Sequence, residues 1–542
     1  MNAGAQELPR AAARSGSGYA WYALGVLVLV YAVNFIDRSI LSILAEDIKR
    51  DLQLDDAQLG FLYGTAFAVF YALFGIPFGR LADSWHRGRL IAAGLALWSS
   101  MTALSGLANG YPQLAAARIG VGIGEASASP AAYSLVADHF RPERRALALS
   151  VYASGLYIGG GLAMPIGGFL ASGWNAAAAR GAVPPGLAGW QVAFLAVGLP
   201  GLLLALWVLS LREPLRGQSE GRAEPVARPG AWRDFGAELV AILPPLTLLG
   251  AARRPNGLPA NLALLAGVGA AAAALALLTG DRAQWIAYGL GVYAVGSWVQ
   301  ALRARDPAAH RLIWGTRPVV LAVAAFGSVS FVTYGAGFWG APYALRTFYA
   351  GPDAPARLLA GLTARQEVSL TGLLNVAAQI GGVVGGGWLS DRWRRRDPRG
   401  RVAVVALSAT AHALVLWPTY TADGPLGFFA WGWFACLVSS MFVGACVATL
   451  QDMVLPRMRG TVGATYLLGA TMIGLALGPY ATGKVAAVTG SLSVGVLALT
   501  AMLPVTLLLL RLVARDLAWT EATAPARAAA AEKEEGSDAL RR

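Results

Sequence analysis

The chain has 542 residues, of which 56% are hydrophobic and only 13% charged, with a formal net charge of +13. Ordinary soluble domains carry roughly 25% charged residues, so a soluble globular enzyme is excluded, as are disordered, coiled-coil and collagenous chains, because long uncharged apolar runs recur and glycine has no three-residue period. The basic residues sit in short clusters between the apolar runs and not along one amphipathic face, which argues against a nucleic-acid partner.

A helix needs about 20 apolar residues to cross a hydrocarbon core about 30 Å thick. By that ruler an N-terminal cytoplasmic segment, 1–20, precedes a six-helix bundle, 21–211, with spans at 21–45, 58–80, 90–108, 113–137, 146–171 and 190–211. The first run is span-length and carries Asp37 and Arg38, unlike a cleaved signal. Residues 212–257 read as a cytoplasmic connector. Its apolar stretch 235–249 is short, broken by Pro244 and Pro245, and is expected as an interfacial helix. An inserted pair, 260–279 and 284–302, occupies 258–304 and carries no charge in its apolar bodies. It is expected at the periphery, without the polar groups that handle a substrate. A second bundle, 305–513, has spans at 314–341, 367–389, 402–420, 427–450, 461–483 and 491–512, which makes fourteen spans in an all-α membrane protein. The Ala-, Glu- and Lys-containing tail, 514–542, is expected to be a disordered cytoplasmic extension. With the N-terminus inside, 33 Lys and Arg fall in inner segments and 8 in outer loops, so both termini are predicted to be cytoplasmic. The first outer loop is acidic, with Glu46, Asp47, Asp51, Asp55 and Asp56 against Lys49 and Arg50.

The two bundles are related. Gly79-Arg80-Leu81-Ala82-Asp83-Ser84-Trp85-His86-Arg87 recurs as Gly387-Trp388-Leu389-Ser390-Asp391-Arg392-Trp393-Arg394-Arg395 at an offset of 308. Asp138, Pro142 and Arg145 recur as Asp452, Pro456 and Arg459 at 314, an offset that Pro165 and Pro479 share. Ordered matches at corresponding loops imply parallel repeats, the plan of transporters whose site lies between the repeats near the bilayer midplane.

Four charges lie inside spans: Asp37, Arg38, Arg118 and Glu125. Each costs about 2.5–3.5 kcal/mol at a helix centre on insertion scales, so the set demands a compensating role; its charges sum to zero, as a mutually neutralised cluster requires. Asn34, Asp37 and Arg38 fall within about 100° on the first helix, and Arg118 and Glu125 lie on one face of the fourth, separated by about 10 Å. If both stripes face a central cavity, an acid of one helix reaches an arginine of the other. Desolvation favours a neutral carboxyl and a nearby arginine favours the charged one, so a rocking motion would load and release a proton at Asp37 or Glu125. The freed Arg38 would then hold an anionic head group, with Asn34 and Arg118 alongside. The alternative is a static ion pair that only locks the helices together. Tyr63, Phe67 and Tyr133 are candidate linings for a lipid tail, against ordinary packing.

At the inner helix ends, Gly79, Asp83, Arg87 and Arg89, then Asp138, Arg144 and Arg145, and in the second bundle Asp391, Arg395, Asp452 and Arg459, place opposite charges where pairs could form as the halves close inside. They are candidate gating residues. The four histidines and two cysteines have no metal or haem spacing, so no metal and no cofactor is expected beyond a proton gradient.

These residues resemble the major facilitator superfamily. Gly79-Arg80-Leu81-Ala82-Asp83 to Arg89 is similar to its loop motif between the second and third helices, and Leu114, Arg118, Gly122 and Gly124 to its fourth-helix motif. Asn34-Phe35-Ile36-Asp37-Arg38, Gly124-Glu125-Ala126 and Pro142-Glu143-Arg144-Arg145-Ala146 resemble Spinster-type transporters over about 20–215, and more loosely over 314–512. The resemblance implies two six-helix bundles, here with an inserted pair. It implies alternating-access movement of a lysophospholipid or sphingoid lipid, proton-coupled, by a monomer in a bacterial-type inner membrane. The rival expectation is a carrier of small organic anions or drugs.

Overall fold

The computed structural model describes residues 18–220, 225–350, 358–455 and 458–540, and among them every regular element is helical. Helix α1 (Gly18–Leu52) is followed by α2 (Asp56–Tyr63) and α3 (Thr65–Ala82), one line broken at Gly64, then α4 (Arg87–Ser105). Next come α5 (Tyr111–Glu125) and α6 (Ala128–His139), a second broken line, then α7 (Pro142–Ala179) and α8 (Gly189–Leu209). Four elements join the halves: α9 (Ala231–Ile242), α10 (Leu246–Ala252), α11 (Gly257–Thr279) and α12 (Arg282–Arg305), with the short α13 (Pro307–Ile313) after them. The second half holds α14 (Arg317–Phe348), α15 (Ala364–Arg394), α16 (Gly400–Tyr420), the broken pair α17 (Pro425–Ser440) and α18 (Phe442–Asp452), and α19 (Arg459–Gly469). It ends with α20 (Gly478–Thr489), α21 (Leu492–Ala498) and α22 (Leu503–Leu540); a π-helical turn at Ala470–Leu475 separates α19 from α20.

Local chemistry sets these boundaries. Asp55 caps α2 in a reciprocal capping box with Gln58, and Thr363 caps α15 the same way with Gln366, so the orphan amides at both starts are satisfied. Close helix approach fixes the glycines: a Cβ on Gly60 would come within 2.5 Å of the Pro479 carbonyl oxygen, and one on Gly122 within 2.5 Å of the Phe67 carbonyl oxygen. The repeat is structural, since the break after α5 at Ser127 and the break at Met441 between α17 and α18 stand 314 residues apart.

Eleven helices among the described residues are long and apolar enough to cross a membrane, or twelve if α9 and α10, bent by 97°, are one span. That is fewer than the fourteen expected. α4, α5–α6 and α12 occupy the predicted places but fall short in length or apolarity: α5 stops at Glu125, and α12 carries Arg282, Gln284, Ser297 and Gln300. The tail also departs from expectation. α22 runs unbroken to Leu540, and Val513, Leu517, Thr520 and Ala524 are buried at helical spacing. An Ala- and Glu-rich composition is a good helix former as well as a poor core former, and the i, i+4, i+7, i+11 stripe against α13 and α16 decides the outcome.

The inserted pair packs α12 on α3 and leaves α11 nearly bare. It is less apolar inside than expected. Asn261 donates to Ser297 Oγ at 2.9 Å and accepts from the Tyr293 hydroxyl at 2.6 Å, and Tyr293 also pairs with Thr247 at 2.9 Å. Buried polar groups need such partners, and these tie α10, α11 and α12 together.

Candidate functional site

The buried charges converge where α1, α4 and α5 cross. Arg38 on α1 donates to Glu125 Oε2 on α5 at 2.6 Å, with the two side chains 8% and 0% exposed. The Arg38 guanidinium lies over the rings of Phe35, Phe67 and Tyr71, 4.5–5.1 Å from their centroids, an arrangement of cation–π contacts. Arg118 donates to the carbonyl oxygens of Leu62 at 3.3 Å and Asp37 at 3.4 Å and stands 5.4 Å from the Phe67 ring centroid. Asp37 is 0% exposed, flanked by Trp98 and Thr102 of α4, and its carboxylate oxygens make no full hydrogen bond. The expected cross-helix pairing therefore holds for Arg38 and Glu125. Asp37 faces the other way, into the seam between α1 and α4.

Access differs accordingly. Arg38 keeps 7% exposure beside the half-buried Phe35 and Tyr71, while Asp37 and Glu125 are enclosed. Asn34 is buried on the same stripe, within reach of Glu125. Of the candidate lining residues, Phe67 is fully buried under the two arginines and Tyr63 stacks on Phe338 of α14 at 4.2 Å, so both are packed. Tyr133 is 43% exposed and meets Tyr152 edge to face. Tyr334 of α14 lies close enough to Arg38 to interact electrostatically, which brings the second half to the site.

At the end of the molecule where α1 starts and α22 finishes, four of the candidate gating residues, Arg87 and Asp138 in the first half and Asp391 and Asp452 in the second, sit in two equivalent clusters, each inside one half. Arg87, fully buried, pairs with Asp138, donates to Glu213 at 2.7 Å and reaches Ser134 Oγ at 2.9 Å. Glu213 also accepts from the Gly88 backbone amide at 2.8 Å, capping α4. In the second half Arg401 pairs with Asp452 and sits 3.5 Å from Asp391. Arg87 and Asp138 map onto Arg401 and Asp452 at the single offset 314. Arg395, the residue expected in this role, is exposed, because six extra loop residues separate the offsets 308 and 314. Asp83, Arg89 and Arg144 are exposed, Gly79 is in the last turn of α3, and Arg145 donates to Ser219 Oγ at 3.2 Å. Arg459 opens α19, and its side chain lies outside the described residues, as does Pro456. The described ion pairs at this end thus strap helices within a half; they do not close one half onto the other.

The inter-half bonds lie at the opposite end and were not foreseen. Arg346 of α14 grips Asp56 with two bonds of 2.7 Å and Glu46 with a third of 2.7 Å, and Arg365 of α15 meets Asp47 at 2.6 Å. Thr65 Oγ1 donates to the Ala476 carbonyl and Ser42 Oγ to the Phe338 carbonyl, both at 2.6 Å. The sequence signal existed: an acidic first outer loop, with arginines in the corresponding loop of the other half. Among the described residues no group of three His, Cys, Asp or Glu side chains could hold a metal ion.

A profile described as Major Facilitator Superfamily matches residues 27–386. The chain belongs to that superfamily. Within it, the chain is 38% identical over 205 residues to an MFS-type efflux pump of Mycolicibacterium smegmatis, covering 37% of this chain and 44% of that one. It is 28% identical over 201 residues to Protein spinster of Drosophila melanogaster, covering 37% and 31%. The chain thus spans less than half the length of these curated relatives. A solved bacterial homolog to the human lysosomal transporter Spinster, inward-facing and unoccupied, superimposes with a TM-score of 0.63 at 24% identity, covering 94% of this chain and 98% of that one. This superfamily member is therefore Spinster-like in fold across nearly its whole length.

Proposed function

We propose that the protein is a secondary transporter, not an enzyme, that moves an amphipathic lipid of the lysophospholipid or sphingoid type across a bacterial-type inner membrane by alternating access, driven by protons. The observation that carries the reading is the Arg38–Glu125 pair, enclosed in the membrane and ringed by aromatic faces. Protonation of Glu125 breaks the pair and frees a guanidinium whose planar fork suits a phosphate. The aromatic collar suits an alkyl chain beside a cation. Asp37 and Arg118 neutralise each other, so protonation of Glu125 leaves one net positive charge, on Arg38, for an anionic head group to compensate. The charge excess of inner segments supports cytoplasmic termini, a reading in which the closed end, with Arg346 and Arg365, is the outer one.

The efflux-pump relative favours a second reading, export of small organic anions or drugs, in which the same arginine holds a carboxylate. Purified protein in liposomes with an imposed pH gradient tests both. Glu125→Gln is expected to abolish gradient-driven flux of a labelled lysophospholipid and to retain gradient-free exchange. Wild-type coupling in that variant overturns the proton role, and flux of organic acids that lysolipid does not inhibit overturns the lipid role.

A further inference from the structure

A groove of about 660 Å³ lies along the inserted helices, and none of its lining residues belongs to the buried charge set. Pro244 and Pro245 close one end, Ala272, Ala276 and Gly289 form its floor, and Arg282 stands at the other end. The flanks of α11 are exposed apolar surface, with Leu277 and Leu278 more than 80% exposed. In a helix that spans the membrane such a surface faces hydrocarbon. We infer that this groove is a binding site for one acyl chain of an anionic phospholipid, whose phosphate rests on Arg282.

Three observations support that occupant. From Arg282 to Tyr293, level with the proline corner, α12 rises by about 16 Å at about 1.5 Å per residue, close to half of a hydrocarbon core of about 30 Å. The groove therefore spans one leaflet, from the head-group level to the midplane. Five of its fifteen lining residues are glycine or alanine, Gly269, Ala272, Ala273, Ala276 and Gly289, which opens room between α11 and α12, and most of the others are apolar. Its mouth carries an exposed cation that makes no ion pair among the described residues, because the neighbouring Asp281 is engaged by Lys484 at 2.8 Å and by the Tyr480 hydroxyl at 2.7 Å. A lipid phosphate supplies the missing counter-charge.

The inference is independent of what the central site transports. Native mass spectrometry of the full chain in detergent, titrated with phosphatidylglycerol, tests it. Wild-type protein is expected to retain one phosphatidylglycerol through delipidation. Arg282→Gln should reduce the singly bound population about tenfold, the weight of one charge-assisted hydrogen bond. Ala273→Phe, which fills the groove from an exposed wall, should remove the bound lipid, and Glu125→Gln should leave it in place. Equal retention by wild type, Arg282→Gln and Ala273→Phe, or equal retention of an uncharged diacylglycerol, would overturn the assignment and leave only annular lipid.

Discussion

Arg38 and Glu125 illustrate how little freedom a buried charge has. Taking one partner away leaves the other uncompensated in a dry site, a cost of about 3–5 kcal/mol, whereas replacing both removes the penalty. Arg38→Met is therefore expected to lower the melting temperature sharply, and Arg38→Met with Glu125→Gln to recover most of it. Additive losses in a thermal-unfolding assay would show that the two do not act as a pair. Glycines beside the site are equally constrained. A Cβ on Gly124 would lie 2.7 Å from the Trp98 backbone nitrogen, but one on Gly160 meets nothing within 4 Å. Gly124→Ala should thus destabilise by about 1–3 kcal/mol, as overpacking does, while Gly160→Ala should not, by the same measurement. The four charges and their zero sum were legible in the chain. Which acid meets which arginine was not: Asp37 and Arg38 are neighbours in sequence, yet the helix turns one toward Trp98 and Thr102 and the other toward Glu125.

Helices of this protein are defined as much by what they pack on as by composition. The last one shows this. Leu517 is 1% exposed against α13 and α16, and Glu521 holds Arg394 at 2.7 Å, so the stretch just beyond the last apolar run is part of the second half. Leu517→Ala should cost about 2–5 kcal/mol, the range for a buried leucine, read as a lower unfolding midpoint. An unchanged midpoint would mean that α22 is not docked there. The inserted pair was visible as two apolar runs, and its place beside α3 follows from Gly291, where a Cβ would sit 2.7 Å from Met472 Cε and 2.9 Å from Val69 Cγ1. The polar seam of Asn261, Tyr293 and Ser297 was overlooked because each residue is unremarkable in its own run; only the crossing of α11 and α12 aligns them.

At the scale of the molecule, the two halves are bonded at one end and strapped internally at the other. The Arg346 and Arg365 bridges span the halves, and Arg87–Asp138 and Arg401–Asp452 do not. Arg346→Ala combined with Arg365→Ala is expected to open the end they close. Spin labels at Gln53 and Thr489, both exposed there and on different halves, should then report a second, longer distance population. A distribution identical to that of the parent protein would assign the closure to the close backbone packing at Gly60 and Gly64 instead. The internal straps make a complementary point: Arg87–Asp138 and Arg401–Asp452 tie the helix ends of each half to one another.

Sequence by itself determined the membrane class, the two related halves, the inserted pair and the membership of the buried charge set. Those follow from composition, offset and the expense of charge in hydrocarbon, all properties of residues taken one or two at a time. Tertiary structure alone decided which charges pair, which end is closed and where the tail lies. The reason is distance along the chain. Arg38 and Glu125 are 87 residues apart and Arg346 and Asp56 are 290 apart, and a Coulomb interaction depends on separation in space, which only the packed helices specify.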